Sequence, residues 1–401
     1  MTALAWDLLE AADVAAFLVP EGLIDRAPQV PWPCRAARLA LPPGGMAALP
    51  SPLPAGVVVL EAPAGTPGTG ADAGRGEAPA GGPPRAVAAG PAAGLARLSR
   101  AWPDLAALLA RHDRTPLRLR FADGTAWDLS DRPRLMAILN VTPDSFSDGG
   151  LHESPAAALA RAERCLAEGA DLLDVGGEST RPGAAPVDAE AESRRVVPVV
   201  AALRTRFPAH RLSIDTRRAA VARRALEAGA DLINDVSAGA DPAMLPLAAA
   251  AGVPVALMHM RGEPATMQRD TRYADLVGEV AEALESAAER ARRAGVADDR
   301  ILLDPGLGFG KSAEGNELLL RQLGALRSLG SPLLVGASRK TFIGHLTGVS
   351  DPAARLAGSV AAAVVAALRG AAVLRVHDVG ATREALAVAT ALRRARGTDG
   401  C

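Results

Sequence analysis

Residues 136–150 read MAILNVTPDSFSDGG, a short apolar strand that runs into Asn140 and then into a loop of hydroxyls, carboxylates and paired glycines. An apolar run ended by an amide and a polar loop is how a parallel α/β sheet presents a ligand site at the carboxyl ends of its strands. Seven later stretches repeat the plan. After LMAIL (135–139) come LLDV (172–175), LSID (212–215), LINDV (232–236), PVALMHM (254–260), ILLD (301–304), PLLVG (332–336) and VLRVH (373–377). Ala-, Leu- and Arg-rich helical stretches lie between them, among them 155–168, 217–228, 274–294 and 353–369. Eight β-then-α units in one unbroken run predict a (β/α)8 TIM barrel, a domain of the α/β class spanning 116–395. A doubly wound open sheet is the alternative, which strand count and length disfavour.

Upstream of the barrel, Leu117–Leu129 (LRLRFADGTAWDL) alternates apolar and polar residues around Asp123-Gly124, which predicts a hairpin. Residues 95–112 read as one helix inside a connecting segment, 95–115. Residues 61–94 are rich in Gly, Pro and Ala and poor in large apolar side chains, the composition of a flexible linker. Residues 1–60 form an N-terminal extension without a motif; its first 26 residues have a helical look, and Asp7, Glu10 and Asp13 interrupt any signal-peptide core.

The whole chain has 401 residues, 49% of them apolar, enough to bury a large core. A net charge of −1 argues against nucleic acid or a membrane surface as the main partner, and no run of apolar residues is long enough to span a bilayer. The expectation is a cytoplasmic protein. Cys34, Cys165 and Cys401 are scattered without paired spacing, so neither a disulfide framework nor a zinc site is indicated. Of 44 basic residues only Lys311 and Lys340 are lysines, and the asparagines are Asn140, Asn234 and Asn316 alone. In so Arg-rich a chain the surviving ammonium and amide groups are candidates for tasks that Arg and Asp cannot perform.

Each predicted strand finishes on polar residues: Asn140, Asp174, Asp215, Asn234 with Asp235, His259, Asp304, Ser338 to Lys340, and Arg375 with His377. In a barrel these ends converge on one face, where inward polar groups bind and react. Lys340, Arg339, Arg375 and His377 gather cationic donors near strands seven and eight, where barrels commonly seat phosphate. Asp174, Asp215 and Asp304 suit a ring bearing several N–H donors. With Asn140 they could equally hold a divalent metal, so ring recognition and metal binding compete for the same residues. The run from Gly306 to Ser312 imitates a phosphate loop, but the spacing demands glycine where Pro305 stands. His259, with no second histidine at helical spacing, reads as a hydrogen-bonded core residue.

The motifs LNVTPDSFSDGG, DVGGESTRPGA, SIDT, NDVS, MHMRGEPATMQ, DPGLGFGK, SRKTFIG and RVHDV together resemble, in their order, the dihydropteroate synthase family. The resemblance spans about 116–390 and leaves the first ~110 residues unassigned. It implies condensation of 6-hydroxymethyl-7,8-dihydropterin diphosphate with 4-aminobenzoate, giving 7,8-dihydropteroate and diphosphate by an SN1-like displacement. It further implies the pterin on Asp215, Asn234, Asp304 and Lys340. Diphosphate would lie against Asn140, Arg181, Arg375 and His377, with Mg²⁺ bridging it to Asn140 and Asp174. Phe146, Thr180, Arg181 and Pro182, on the loops after strands one and two, would close over the aminobenzoate, whose carboxylate would meet Ser338. A homodimer through outer barrel helices and sulfonamide targeting belong to the same expectation. Mg²⁺, Arg and His⁺ would neutralise the departing diphosphate, and no nucleophile–base pair is organised for a covalent intermediate. A pterin-dependent methyltransferase of the same fold has no use for Arg375, His377 or the STRPGA loop. A non-catalytic homologue would be expected to have lost loop residues that stand here intact.

Overall fold

The structure is a computed structural model that describes residues 4–8, 34–40, 45–53, 57–61, 85–90, 92–141, 155–179 and 187–395. The chain divides into two compact units. One comprises Met1–Arg114 with Arg272–Glu282 and Arg321–Gly330; the other comprises Thr115–Thr271, Ala283–Leu320 and Ser331–Cys401.

In the first unit β1 (Leu4–Leu8), β2 (Cys34–Ala40), β3 (Val58–Glu61) and β4 (Arg85–Gly90) form an antiparallel sheet ordered β1-β2-β4-β3. Two helices follow, α1 (Ala92–Leu98) and α2 (Pro103–His112). Ala37, Val59 and Ala88 from the strands pack with Leu95, Leu98, Trp102, Leu105 and Leu108 in a core of their own. Proline suits the first turn of α2, where its missing N–H is no loss, and Leu105, Leu108 and His112 recur at helical spacing to bury one face.

This differs from the sequence expectation in three places. Leu4–Leu8, in the stretch with a helical look, is a strand that pairs with β2. Arg85–Gly90, inside the expected linker, is a sheet strand hydrogen-bonded on both sides, to β2 and to β3. The single helix expected over 95–112 is two, separated at Ser99–Trp102 where Pro103 starts a new N-terminus.

The second unit opens with the predicted hairpin, β5 (Arg118–Arg120) and β6 (Ala126–Asp128), whose turn uses Gly124 at φ +84°. The barrel then follows as β7 (Arg134–Asn140), β8 (Leu172–Gly176), β9 (Arg211–Asp215), β10 (Leu232–Asp235), β11 (Val255–Met258), β12 (Ile301–Asp304), β13 (Leu333–Val335) and β14 (Ala371–Val376). All neighbours are parallel, and β14 pairs with β7 to close the ring. The intervening helices are α3 (Pro155–Ala167), α4 (Ala189–Arg206), α5 (Ala219–Glu227), α6 (Met244–Ala251), α7 (Leu276–Arg293), α8 (Ala313–Arg321), α9 (Thr341–Thr347), α10 (Leu356–Leu368) and α11 (Val379–Ala395).

Registered partners in parallel strands point to the same face, so the pairing lays out the interior in layers. Met136, Leu172, Leu232, Ala256, Leu302, Leu334 and Val373 fill the amino-terminal layer and pack against Leu119, Phe121 and Leu129 of the hairpin. The hairpin therefore plugs that end of the barrel. Arg211 fixes it to the rim, with its guanidinium 4.1 Å from the Phe121 ring centroid and 2.8 Å from Asp123. One layer higher the interior turns polar: Asp174 registers with Ser213, and Asp215 with Asn234.

Candidate active site

Asp174 lies two residues into β8 and is 0% exposed. Its Oδ2 accepts from Arg375 Nε at 2.6 Å and from Asn234 Nδ2 at 3.2 Å, while its Oδ1 is buried with no hydrogen-bond partner among the described residues. An unmatched buried acceptor costs about 1–3 kcal/mol, a penalty that a donor on a ligand can remove. Arg375, on β14, also donates to Asp215 Oδ2 at 2.7 Å. One guanidinium thus ties together two carboxylates on different strands, a geometry that its planar fork permits and an ammonium does not.

Burial pushes the Asp215 carboxyl up to about 7, against the attraction of Arg375 and with added repulsion from Asp174. Asp304, on β12, is likewise raised by burial, although Lys340 and the Gly306 N–H, 2.7 Å from its Oδ1, favour the anion. Burial lowers Lys340 to about 8, opposed by Asp304. Lys340 donates to the Leu307 carbonyl and lies 4.5 Å from the centroid of the Phe309 ring. Asp174, Asp215, Asn234 and Arg375 therefore form one hydrogen-bonded cluster at the carboxyl ends of the strands, and Asp304 and Lys340 stand near enough to interact with its charges. Phe309, whose ring faces Lys340, is a neighbour that sequence reasoning missed, because its position depends on how the loop after β12 folds.

At the neighbouring strand ends, Ser338 Oγ and His377 Nδ1 stand 2.9 Å apart, which joins two residues expected in separate subsites. Burial, then the cations Arg375 and Arg339, push His377 down to about 3. The imidazole is neutral at pH 7 in this arrangement. In this state His377 offers a ring N–H, whereas a diphosphate beside it would favour the imidazolium expected from the sequence. Arg339, beside Lys340, is turned away at φ +59° and paired with Asp378 at 2.6 Å. Buried Arg355 fastens the same turn by donating to the carbonyls of Arg339, Val349 and Ser350. Asp378 stands in the RVHDV motif without a role of its own in the sequence reading, and Arg355 had no sequence signal beyond being charged.

The imitation phosphate loop is bound the other way round. Lys311, 3% exposed, turns inward to the carbonyls of Gly306 and Phe309 and to His259 Nδ1. His259 is thereby the hydrogen-bonded core histidine its context suggested. Asn316 accepts from Gly308 N at 2.6 Å and braces the loop from the other side.

Asn140 ends β7, two positions beyond Ile138, which registers with Asp174. Its amide oxygen and the unpartnered Asp174 Oδ1 are hard donors of the kind Mg²⁺ takes alongside phosphate oxygens and water, so these residues fit that ion. No group of three or more His, Cys, Asp or Glu residues suited to a metal occurs among the described residues. The remaining expected site residues, Phe146, Thr180, Arg181 and Pro182, lie outside the described residues.

Residues 136–377 match the family model described as pterin binding enzyme. Dihydropteroate synthase of Escherichia coli (strain K12) is 48% identical over 276 residues, covering 69% of this chain and 97% of the relative. The Synechocystis relative of the same name is 47% identical, covering 67% of this chain and 93% of its own length. Among solved structures, Xanthomonas albilineans dihydropteroate synthase with 4-aminobenzoic acid matches with a TM-score of 0.65 and 50% identity, covering 70% of this chain and 99% of that one. The Yersinia pestis enzyme in a sulfonamide drug complex matches with a TM-score of 0.66 and 49% identity, covering 69% and 100%.

Proposed function

The chain belongs to the dihydropteroate synthase family of pterin binding enzymes, and from that premise we propose how its residues divide the work. The activity is condensation of 6-hydroxymethyl-7,8-dihydropterin diphosphate with 4-aminobenzoate to 7,8-dihydropteroate and diphosphate. The observation that carries the assignment of residues is the buried floor in which Arg375 bridges Asp174 and Asp215.

The pterin ring lies on Asp215, Asn234, Asp304 and Lys340, where its several N–H donors and its acceptors find partners of the right kind. Arg375, donated by the same floor, turns toward the diphosphate together with Asn140, Arg181 and the His377 N–H. Magnesium would be held by Asn140 and Asp174 and would supply neutralisation of the departing phosphate charge. The pterin delocalises the charge left on its methylene carbon, so the carbon–oxygen bond breaks ahead of attack. Aminobenzoate then needs only to be positioned, by Phe146, Thr180, Arg181 and Pro182 on one side and by Ser338 at its carboxylate. The Yersinia pestis relative was solved with a sulfonamide drug, and in this chain such a compound would compete for the aminobenzoate place.

A homodimer fits the same reading. Leu356, Val365 and Leu368 on α10 and Val388 and Leu392 on α11 are exposed apolar residues, Leu392 66% so. Burying such a surface against a second copy removes it from water. Sedimentation of the wild type and of Leu368→Glu tests this, a monomeric wild type being the contrary result. The cytoplasm is the proposed compartment. Among the described residues no helix is long and apolar enough to cross a membrane.

The direct test is incubation of the protein with the pterin diphosphate and labelled 4-aminobenzoate, with Mg²⁺ or with excess EDTA. Labelled dihydropteroate is expected with the metal and none with the chelator; absence of product in both arms overturns the reading.

A further inference from the structure

Lys311 is one of two lysines among 44 basic residues, and it is 3% exposed. An ammonium has three donors, and Lys311 has three acceptors at 2.9 Å: the Gly306 carbonyl, the Phe309 carbonyl and His259 Nδ1. A guanidinium is planar and wider, so the geometry explains why Arg does not stand here. The loop around it alternates glycines at positive φ, Gly306 at +67°, Gly308 at +82° and Gly310 at +64°. It is pressed against its surroundings. A Cβ on Gly306 would lie 2.0 Å from the His259 carbonyl oxygen, and one on Gly308 would lie 3.0 Å from Lys340 Cδ.

Holding the carbonyls of residues 306 and 309 inward leaves the Leu307 carbonyl and the Phe309 ring facing Lys340, and these are the contacts Lys340 makes. We infer that Lys311 is a positioning residue for Lys340: its ammonium shapes the inner side of the loop after β12 so that the outer side presents Leu307 O and the Phe309 ring to the pterin-binding lysine. His259 is the third anchor of the same device, its Nδ1 2.9 Å from the Lys311 nitrogen, whose own proton affinity burial lowers to about 7 against the attraction of Asp304. Burial, then the cations Lys311 and Arg261, push His259 down to about 3, which keeps the imidazole neutral, so that Nδ1 accepts in the tautomer protonated at Nε2. The inference rests on the role proposed above for Lys340 in holding the pterin.

The chain's two lysines make the test direct. Lysine-selective ¹³C labelling of the full-length protein gives two ε-methylene signals, which Lys311→Met assigns. The Lys340 signal is then titrated in the wild type, Lys311→Met, Lys311→Arg and His259→Ala. Loss of the Lys311 charge removes a repulsion and release of the loop exposes Lys340, so its pKa is expected to rise by about one unit or more in Lys311→Met; the smaller rise expected in His259→Ala, where the Lys311 charge stays, reports the loop alone. The KM for pterin diphosphate is expected to rise about 10- to 100-fold in Lys311→Met, as for a small misplacement of a binding group, and Lys311→Arg is not expected to restore it. A folded Lys311→Met protein with unchanged Lys340 titration and unchanged KM overturns the inference. Where that variant fails to fold, His259→Ala decides, and an unchanged Lys340 titration there overturns it. Wild-type protein that makes no dihydropteroate, with Lys340 still responding to Lys311, would instead overturn the functional reading alone.

Discussion

The guanidinium of Arg375 and the carboxylate of Asp215 meet at 2.7 Å although β14 and β9 are separated by two strands of the ring. The same Arg holds Asp174, so the two acids are paired through one cation. Replacing Arg375 with Lys keeps the charge but cannot serve both carboxylates or fork around a phosphate. Arg375→Lys is expected to lower kcat/KM for pterin diphosphate about 100-fold, the scale of a lost charge-assisted bidentate contact. Steady-state kinetics at saturating aminobenzoate check this, and a change under threefold would contradict the assigned role.

Asp215→Asn preserves shape and removes the anion. The expected result is weaker binding of free pterin by about 10- to 100-fold, corresponding to a hydrogen bond to a charged group. Calorimetry measures it, and aminobenzoate binding to the pterin-saturated protein should be little changed.

Gly306 cannot accept a side chain. Its φ of +67° and the 2.0 Å approach to the His259 carbonyl leave no room for a Cβ. Gly306→Ala should destabilise the protein by more than about 2 kcal/mol, since strain and a backbone clash add. Denaturant unfolding reads the stability, and a loss below about 0.5 kcal/mol would mean that the loop is not constrained as described.

Acid should destabilise the fold through two histidines. His259 and His377, both lowered to about 3 chiefly by burial, take up protons near 6.5 when the chain unfolds. Between those values the unfolded state binds more protons, so their contribution to stability falls as pH drops from about 6.5 toward 3. Buried acids such as Asp215 act in the opposite sense. The difference between the wild type and His259→Gln/His377→Gln isolates the histidine part. The double variant should show a shallower loss of stability from pH 7 to 4, and parallel curves would contradict the low values.

Phe121 anchors the hairpin under the barrel and is 0% exposed. Phe121→Ala removes its contacts with the amino-terminal layer and the edge-on Trp127 ring 5.0 Å away. A stability loss of about 3–5 kcal/mol is expected, as for other buried Phe-to-Ala changes. Turnover per folded molecule should hold, because the reacting groups stand at the opposite end of the strands.

The barrel was legible because each strand carries its own signal, an apolar run followed by a polar side chain, and because polar residues at eight strand ends have few structural explanations. The first unit was not legible for a local reason. Ala-Val-Ala-Ala at 86–89 has weak β propensity, yet it lies between two strands that supply its hydrogen bonds. Leu4–Leu8 becomes a strand by pairing with residues about thirty positions on, which no local window contains. In the site, the residue types could be read but their electrostatic state could not. Burial beside Arg375 and Arg339 pushes His377 toward its neutral form, and the Phe309 ring faces Lys340 across a loop with three glycines at positive φ, neither of which a linear reading contains.

The hairpin seal has a kinetic corollary. A barrel stoppered at its base is a cul-de-sac, so everything enters and departs through the same doorway. On the proposed assignment, the ligand seated on Asp215 and Asn234 would have to arrive before the one nearer the rim and would leave after it. Turnover is therefore expected to follow a compulsory sequence, with excess second substrate trapping the first.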